Sequence, residues 1–199
     1  MSDSLPGVDD AHLVEVTIAR EDLFQGKFLR AVRETVRLPD GGTSIREFIL
    51  HPGAVMVVPM LDDGRVVLER QYRHPVREVL IEFPAGKLDP GEDRFACIRR
   101  ELLEETGYTA REWARATEMR LAVGYSDEFI EVWFARGLSR GAQQLDEGEF
   151  IEVIAATPQE LLQWCAEGKV KDSKTLVAAM WLQNVNSGTW KLDWRPHTL

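Results

Sequence analysis

The stretch GKLDPGEDRFACIRRELLEETGY, residues 86–108, places Glu101, Glu104 and Glu105 within five consecutive positions. On a helix, carboxylates three and four apart project from one face and repel, which costs roughly a few tenths of a kcal/mol per pair. A folded chain that keeps such a cluster needs something to neutralise it, and a hard divalent cation can do so through oxygen ligands alone. Two carboxylates, a backbone carbonyl and water suit Mg²⁺ or Mn²⁺, whereas zinc would demand Cys or His. The competing reading is a solvated face, with Arg99 and Arg100 pairing with Glu104 and Glu105 as surface ions.

The surrounding residues predict a helix over 91–106 that would carry these acids. Asp89 reads as its N-cap, Pro90 as its first position and Glu92 as a capping-box acid. Phe95, Ile98 and Leu102 form an apolar stripe for the core, and Gly107 suits a left-handed C-terminal cap. Upstream, Phe83-Pro84-Ala85-Gly86 reads as a break whose glycine lets backbone approach a ligand.

Over its whole length the stretch resembles the Nudix box, G-x5-E-x7-R-E-U-x-E-E-x-G-U, with U a bulky apolar residue. Gly86, Glu92, Arg100-Glu101-Leu102, Glu104-Glu105 and Gly107 all match, with Tyr108 last. The resemblance implies Glu101 and Glu105 as principal metal ligands, with Glu104 a ligand to a further ion or a bridging neighbour. It also implies the Ala85 carbonyl as a ligand, Arg100 as the residue that orients the glutamates, and Glu92 as a brace. The implied cofactor is Mg²⁺, with Mn²⁺ as the alternative, at two or three ions per site.

The chain has 199 residues, a 44% hydrophobic content and a formal net charge of −9. That is enough to bury a core, and the acidity disfavours nucleic acid and anionic membrane as partners. No run approaches a transmembrane span, and Met1–Asp10 lacks a signal pattern. Cys97 and Cys165 read as small core hydrophobes rather than a disulfide framework, so a cytoplasmic protein is expected.

Strands are expected at 13–20, 29–38, 43–51, 53–61, 65–73, 79–83, 117–124, 129–136 and 150–155, and helices at 157–167 and 172–184. This pattern indicates a layered α/β domain spanning 52–199, preceded by a β-meander unit at 1–51. Similarity to the ADP-ribose pyrophosphatase branch of the Nudix family extends over roughly residues 16–184. It implies an α/β/α sandwich with a mixed sheet and an N-terminal antiparallel β extension. It further implies a homodimer, and in that branch the extension commonly swaps across the dimer to help build the partner's substrate site.

Further site residues follow from the same branch. An acidic loop there supplies a water-handling glutamate, which makes Glu147 in Asp146-Glu147-Gly148-Glu149 the candidate general base. Glu149 is the auxiliary metal ligand or second base. Arg46 and Arg73 are candidate phosphate or ribose contacts, Glu128 a sugar or diphosphate contact, and Phe28 an adenine-stacking residue. One departure stands out: Val123 occupies the place where the branch carries a proline. The expected reaction is metal-dependent hydrolysis of a diphosphate bond, giving AMP and ribose 5-phosphate from ADP-ribose. GDP-mannose, ADP-glucose and dinucleotides remain alternative substrates. The rival from another class is a non-catalytic ADP-ribose sensor, disfavoured by the complete motif.

Overall fold

The computed structural model describes residues 9–197. Residues 1–8, which include most of the segment read as lacking a signal pattern, lie outside the described residues. The chain divides into two compact units, Met1–His51 with Ala122–Glu128, and Pro52–Leu121 with Phe129–Leu199.

The first unit is an antiparallel meander of β1 (Val16–Gln25), β2 (Arg30–Arg37) and β3 (Thr43–Leu50), in that order. Pro39-Asp40-Gly41-Gly42 makes the turn between β2 and β3, closed by the Leu38 amide donating to the Gly42 carbonyl at 2.8 Å. Alternation along β2 buries Val32, Glu34 and Val36, while β1 is exposed along its length. The 122–128 segment joins β3 through the Ile49 amide, which donates to the Tyr125 carbonyl at 2.9 Å.

The second unit holds two sheets. Strands β4 (Ala54–Pro59), β7 (Ala85–Lys87), β8 (Tyr108–Arg120), β9 (Phe129–Arg140) and β11 (Arg195–Pro196) make a mixed sheet in the order β11-β8-β9-β4-β7. Its one parallel pair is β4 with β9. Strands β5 (Val66–Arg73), β6 (Glu78–Glu82) and β10 (Ile151–Ala156) form an antiparallel sheet, β10-β5-β6. The helices are α1 (Arg94–Thr106), α2 (Pro158–Ala166) and α3 (Ser173–Asn186).

Strand β4 is buried at every position because both of its faces are covered. Ala54, Met56 and Val58 pack with Leu68, Phe83, Val132, Leu161 and Leu182. Val55 and Val57 pack on the other face with Ile98 and Leu102 of α1 and with Trp113. The apolar stripe expected on the motif helix is thus what clamps it to the mixed sheet.

Three local expectations are corrected. The motif helix begins at Arg94, not 91, and its N-cap is Asp93, whose carboxylate accepts the amides of Phe95 and Ala96 at 3.0 Å. The Glu92 carboxylate does accept the Asp89 amide at 3.1 Å, as a capping box would, but the bond closes a turn ahead of the helix. The break at 83–86 contains a short strand, because Ala85–Lys87 pairs with Ala54–Met56. Finally, β8 starts at Tyr108 rather than near 117, running straight out of the helix cap. No helix among the described residues is long and apolar enough to cross a membrane.

Candidate active site

Strand β7 and helix α1 create the site between them. The register Met56↔Ala85 and Val55↔Gly86 fixes β7 on the edge of the mixed sheet. There the Ala85 amide donates to Glu105 Oε2 at 2.9 Å. A Cβ built on Gly86 would lie 1.9 Å from the Cδ and Oε1 atoms of Glu101. Glycine is therefore required at 86 so that the backbone can pass beneath the carboxylate. At the far end of α1, Gly107 (φ 75°) supplies the left-handed cap, its amide donating to the Leu103 carbonyl at 2.8 Å.

Arg100 holds the outer side of the cluster. Its Nε and Nη2 donate to the two oxygens of Glu92, each at 2.9 Å, and its Nη1 lies 2.9 Å from both Glu104 Oε2 and Glu101 Oε1. The Arg100 fork holds Glu92 well below the usual carboxylate range, at about 2. The two inner acids behave in the opposite way. Burial pushes Glu101 up to about 7 despite Arg100. Glu105 is 3% exposed and is raised well above the usual range, first by burial, then by the charge of Glu69 and then by that of Glu101.

Glu69, on β5, is a buried acid that sequence reasoning did not single out. It is fully buried, and neither carboxylate oxygen has a hydrogen-bond partner among the described residues. Burial pushes it up to about 8, opposed by Lys174 and Arg73 and assisted by Glu82. The signal available in the sequence was a charged residue in register with Val67 on a strand whose first four positions are apolar or buried. Glu82, also missed, takes both Arg73 Nε (2.8 Å) and Arg73 Nη2 (2.9 Å) and is paired with buried Lys174 of α3.

The remaining expected residues divide between the two units. Arg73, Glu147 and Glu149 lie in the second unit with the acids, whereas Phe28, Arg46 and Glu128 lie in the first. Glu149 is half-buried and its charge raises Glu101, Glu105 and Glu69, while Glu147 is exposed. The 146–149 loop is a tight turn, with the Glu149 amide donating to the Asp146 carbonyl at 3.0 Å. Arg46 is paired with Glu15, Glu128 stands 3.6 Å from His51, and the Phe28 ring meets His51 edge-on at 5.6 Å. A separate cavity of about 510 Å³, lined by Phe95, Trp113, Arg115 and Trp133, contains none of these acids.

Among the described residues, no three acidic, histidine or cysteine side chains form a ready-made ligand set. Glu101 and Glu104 are turned to Arg100, and Glu105 to the Ala85 amide. Even so, the donors fit a hard divalent cation. They are carboxylate oxygens, and the buried ones carry less positive charge than their ionised forms need. Burying an ionised carboxylate without a partner costs roughly several kcal/mol. A cation would remove that cost and bring the pKa values down.

These features coincide with family membership. The NUDIX domain model matches residues 50–179, and the chain belongs to the Nudix family. A second model, the nucleoside diphosphate sugar hydrolase N-terminal domain, matches residues 15–49. The chain is 40% identical over 173 residues to ADP-ribose pyrophosphatase of Bacillus subtilis, covering 86% of this chain and 94% of the relative. It is equally 40% identical, over 171 residues, to the methanol dehydrogenase activator of Bacillus methanolicus, covering 85% and 92%. Among solved structures, an ADP compounds hydrolase shares the fold at a TM-score of 0.76, with 20% identity and coverage of 88% and 97%.

Proposed function

We propose that this Nudix pyrophosphohydrolase cleaves the diphosphate bond of ADP-ribose, giving AMP and ribose 5-phosphate. The observation that carries the reading is the complete motif, which holds Glu101 over Gly86 beside Arg100 and buries Glu105 with the Ala85 amide as its one donor. Similarity to an ADP-ribose pyrophosphatase over 94% of that protein's length supports the choice of substrate.

Bound Mg²⁺, or Mn²⁺, at two or three ions per site, supplies positive charge for the diphosphate and lowers the pKa of water. Glu101, Glu105, Glu104, Glu149 and the Ala85 carbonyl would hold it. Arg100 fixes the outer acids in place through its pairs with Glu92, Glu101 and Glu104. Two nitrogens of Arg73 are committed to Glu82, which orients the guanidinium and leaves Nη1 for a phosphate oxygen. Glu147 accepts the proton of the attacking water, and its exposed position beside Gly148 (φ 86°) lets the loop turn it inward. Arg46, Glu128 and Phe28 contact the sugar, diphosphate and adenine.

The reading includes a homodimer that exchanges its N-terminal β units. The apolar side chains that β1 and β3 leave exposed, Val16, Ile18, Leu23, Phe24 and Ile45, support such an assembly. Free thiols at Cys97 and Cys165 accord with a cytoplasmic location.

A panel of ADP-ribose, GDP-mannose, ADP-glucose and a dinucleotide, each with Mg²⁺ and with products separated chromatographically, tests the reaction. ADP-ribose is expected to give the highest kcat/KM, with AMP as product. Preference for another member of the panel would move the substrate assignment. For the base, Glu147→Gln is expected to lose kcat by about a hundredfold. Normal turnover by that variant, with an inactive Glu149→Gln, would transfer the role to Glu149.

A further inference from the structure

We infer that Glu69 is a ligand of the divalent-cation centre, extending it from the motif helix onto β5, with the Gln71 amide oxygen beside it. The inference rests on the metal-dependent reading above but concerns residues outside the motif.

Five glutamates of the described chain are buried: Glu34, Glu69, Glu82, Glu105 and Glu131. Four have hydrogen-bond donors. Glu34 takes Thr17 and Arg20, Glu82 takes Arg73 and Lys174, and Glu131 takes Arg94, Arg115 and Trp133. Glu105 takes the Ala85 amide. Glu69 alone of the five has two unpartnered oxygens. A protein interior rarely leaves such an atom unsatisfied without a functional reason or a bound species to satisfy it.

The nearby cations are already engaged. Arg73 gives two nitrogens to Glu82, and the Lys174 ammonium sits on Glu82 and Asp172. Gln71 lies two residues along β5, on the same face as Glu69, and its Oε1 is also buried without a partner. One strand face therefore presents three unsatisfied oxygens. The strand is linked to the motif helix through β10. β5 pairs with β10, and α1 packs against β10 as well as β4, β7 and β8. Of all the charged groups, Glu69 weighs most on Glu105. Carboxylate and amide oxygens are the donor types that Mg²⁺ and Mn²⁺ take.

The test is Mn²⁺ binding without substrate, followed by the free-ion EPR signal, in wild type, Glu69→Gln, Glu69→Leu and Glu105→Gln. Thermal unfolding in EDTA is measured alongside. Wild type is expected to bind Mn²⁺, and both Glu69 variants to lose one ion per chain or weaken at least tenfold. Their metal-free Tm should equal or exceed that of wild type, because an unsatisfied acid has been removed. Unchanged Mn²⁺ binding in the Glu69 variants, with binding lost in Glu105→Gln, would overturn the inference and leave the motif site intact. A lower metal-free Tm in both Glu69 variants would also overturn it, by marking Glu69 as structural. If Glu105→Gln also binds as wild type does, the failure lies with the motif ligands themselves.

Discussion

Glu82 and Glu69 face each other across β6 and β5 as register partners, both inaccessible to solvent, yet their surroundings are opposite. Glu82 receives the Arg73 fork and the Lys174 ammonium, and these hold it below the usual carboxylate range against the effect of burial. Glu69 receives nothing and is pushed up to about 8. The same division separates Glu131, braced by Arg94, Arg115 and Trp133, from Glu105, whose one donor is the Ala85 amide. This fold supplies arginines where a buried acid serves the architecture. Around Glu105 and Glu69 it places no arginine in hydrogen-bond contact, and the deficit of positive charge there matches what a bound cation would bring. Under the proposed function, these acids would take their counter-charge from the bound ligand.

The largest effect expected from disturbing this division comes at Gly86. Gly86→Ala puts a methyl group where the Glu101 carboxylate lies. Mg²⁺-dependent turnover should fall about a hundred- to a thousandfold, with the circular dichroism spectrum retained. A variant with normal kcat would show that Glu101 is not held over the β7 backbone during the reaction.

Next is the compensated side. Glu82→Gln leaves Lys174 and Arg73 sharing a neutral partner in a buried setting. The expected loss is about 3 kcal/mol of unfolding free energy, at the low end for a broken buried pair because Arg73 is partly exposed. Urea denaturation measures it. An unchanged midpoint would place Glu82 with the uncompensated set.

A smaller effect should appear with pH. Glu101 at about 7 and Glu69 at about 8 lie above the ordinary glutamate value of about 4.5. In the metal-free protein their folded forms bind protons more tightly than the unfolded chain does. The resulting stability is fully present below about pH 4.5 and is lost as pH rises through about 7 to 8. Arg100, Arg73 and Lys174 oppose these shifts without abolishing them. In EDTA, the contribution of these acids to Tm should therefore fall across that window. The Tm gain from saturating Mg²⁺ should grow over the same window, because the cation binds the ionised acids. A gain independent of pH would contradict the assignment of these acids as ligands.

Much of this was legible in the sequence. The motif spacing placed Glu101, Glu104 and Glu105 on one helix with Arg100 beside them, and the structure holds them so. Long periodic segments such as β2 and β4 were readable because alternation or continuous apolarity survives over six or more residues. Strand β7 was not, since three residues around a glycine carry no period and their pairing is fixed by β4, far away in the chain. The helix start was misplaced because Asp89 and Asp93 offer rival caps four residues apart, and the Pro90-Gly91 turn takes the first. Glu69 escaped notice because nothing local distinguishes a strand glutamate that faces solvent from one that is buried. Only the packing of β5, β10 and α1 decides it.

The most direct test of the central claim is Glu105→Gln, assayed for ADP-ribose hydrolysis with Mg²⁺ and for thermal stability in EDTA. The two readouts should move in opposite directions. Turnover should drop at least a hundredfold, while the metal-free Tm holds or rises because an uncompensated buried acid has become a neutral amide. A variant that hydrolyses ADP-ribose at the wild-type rate, or that unfolds well below wild type in EDTA, would contradict the account.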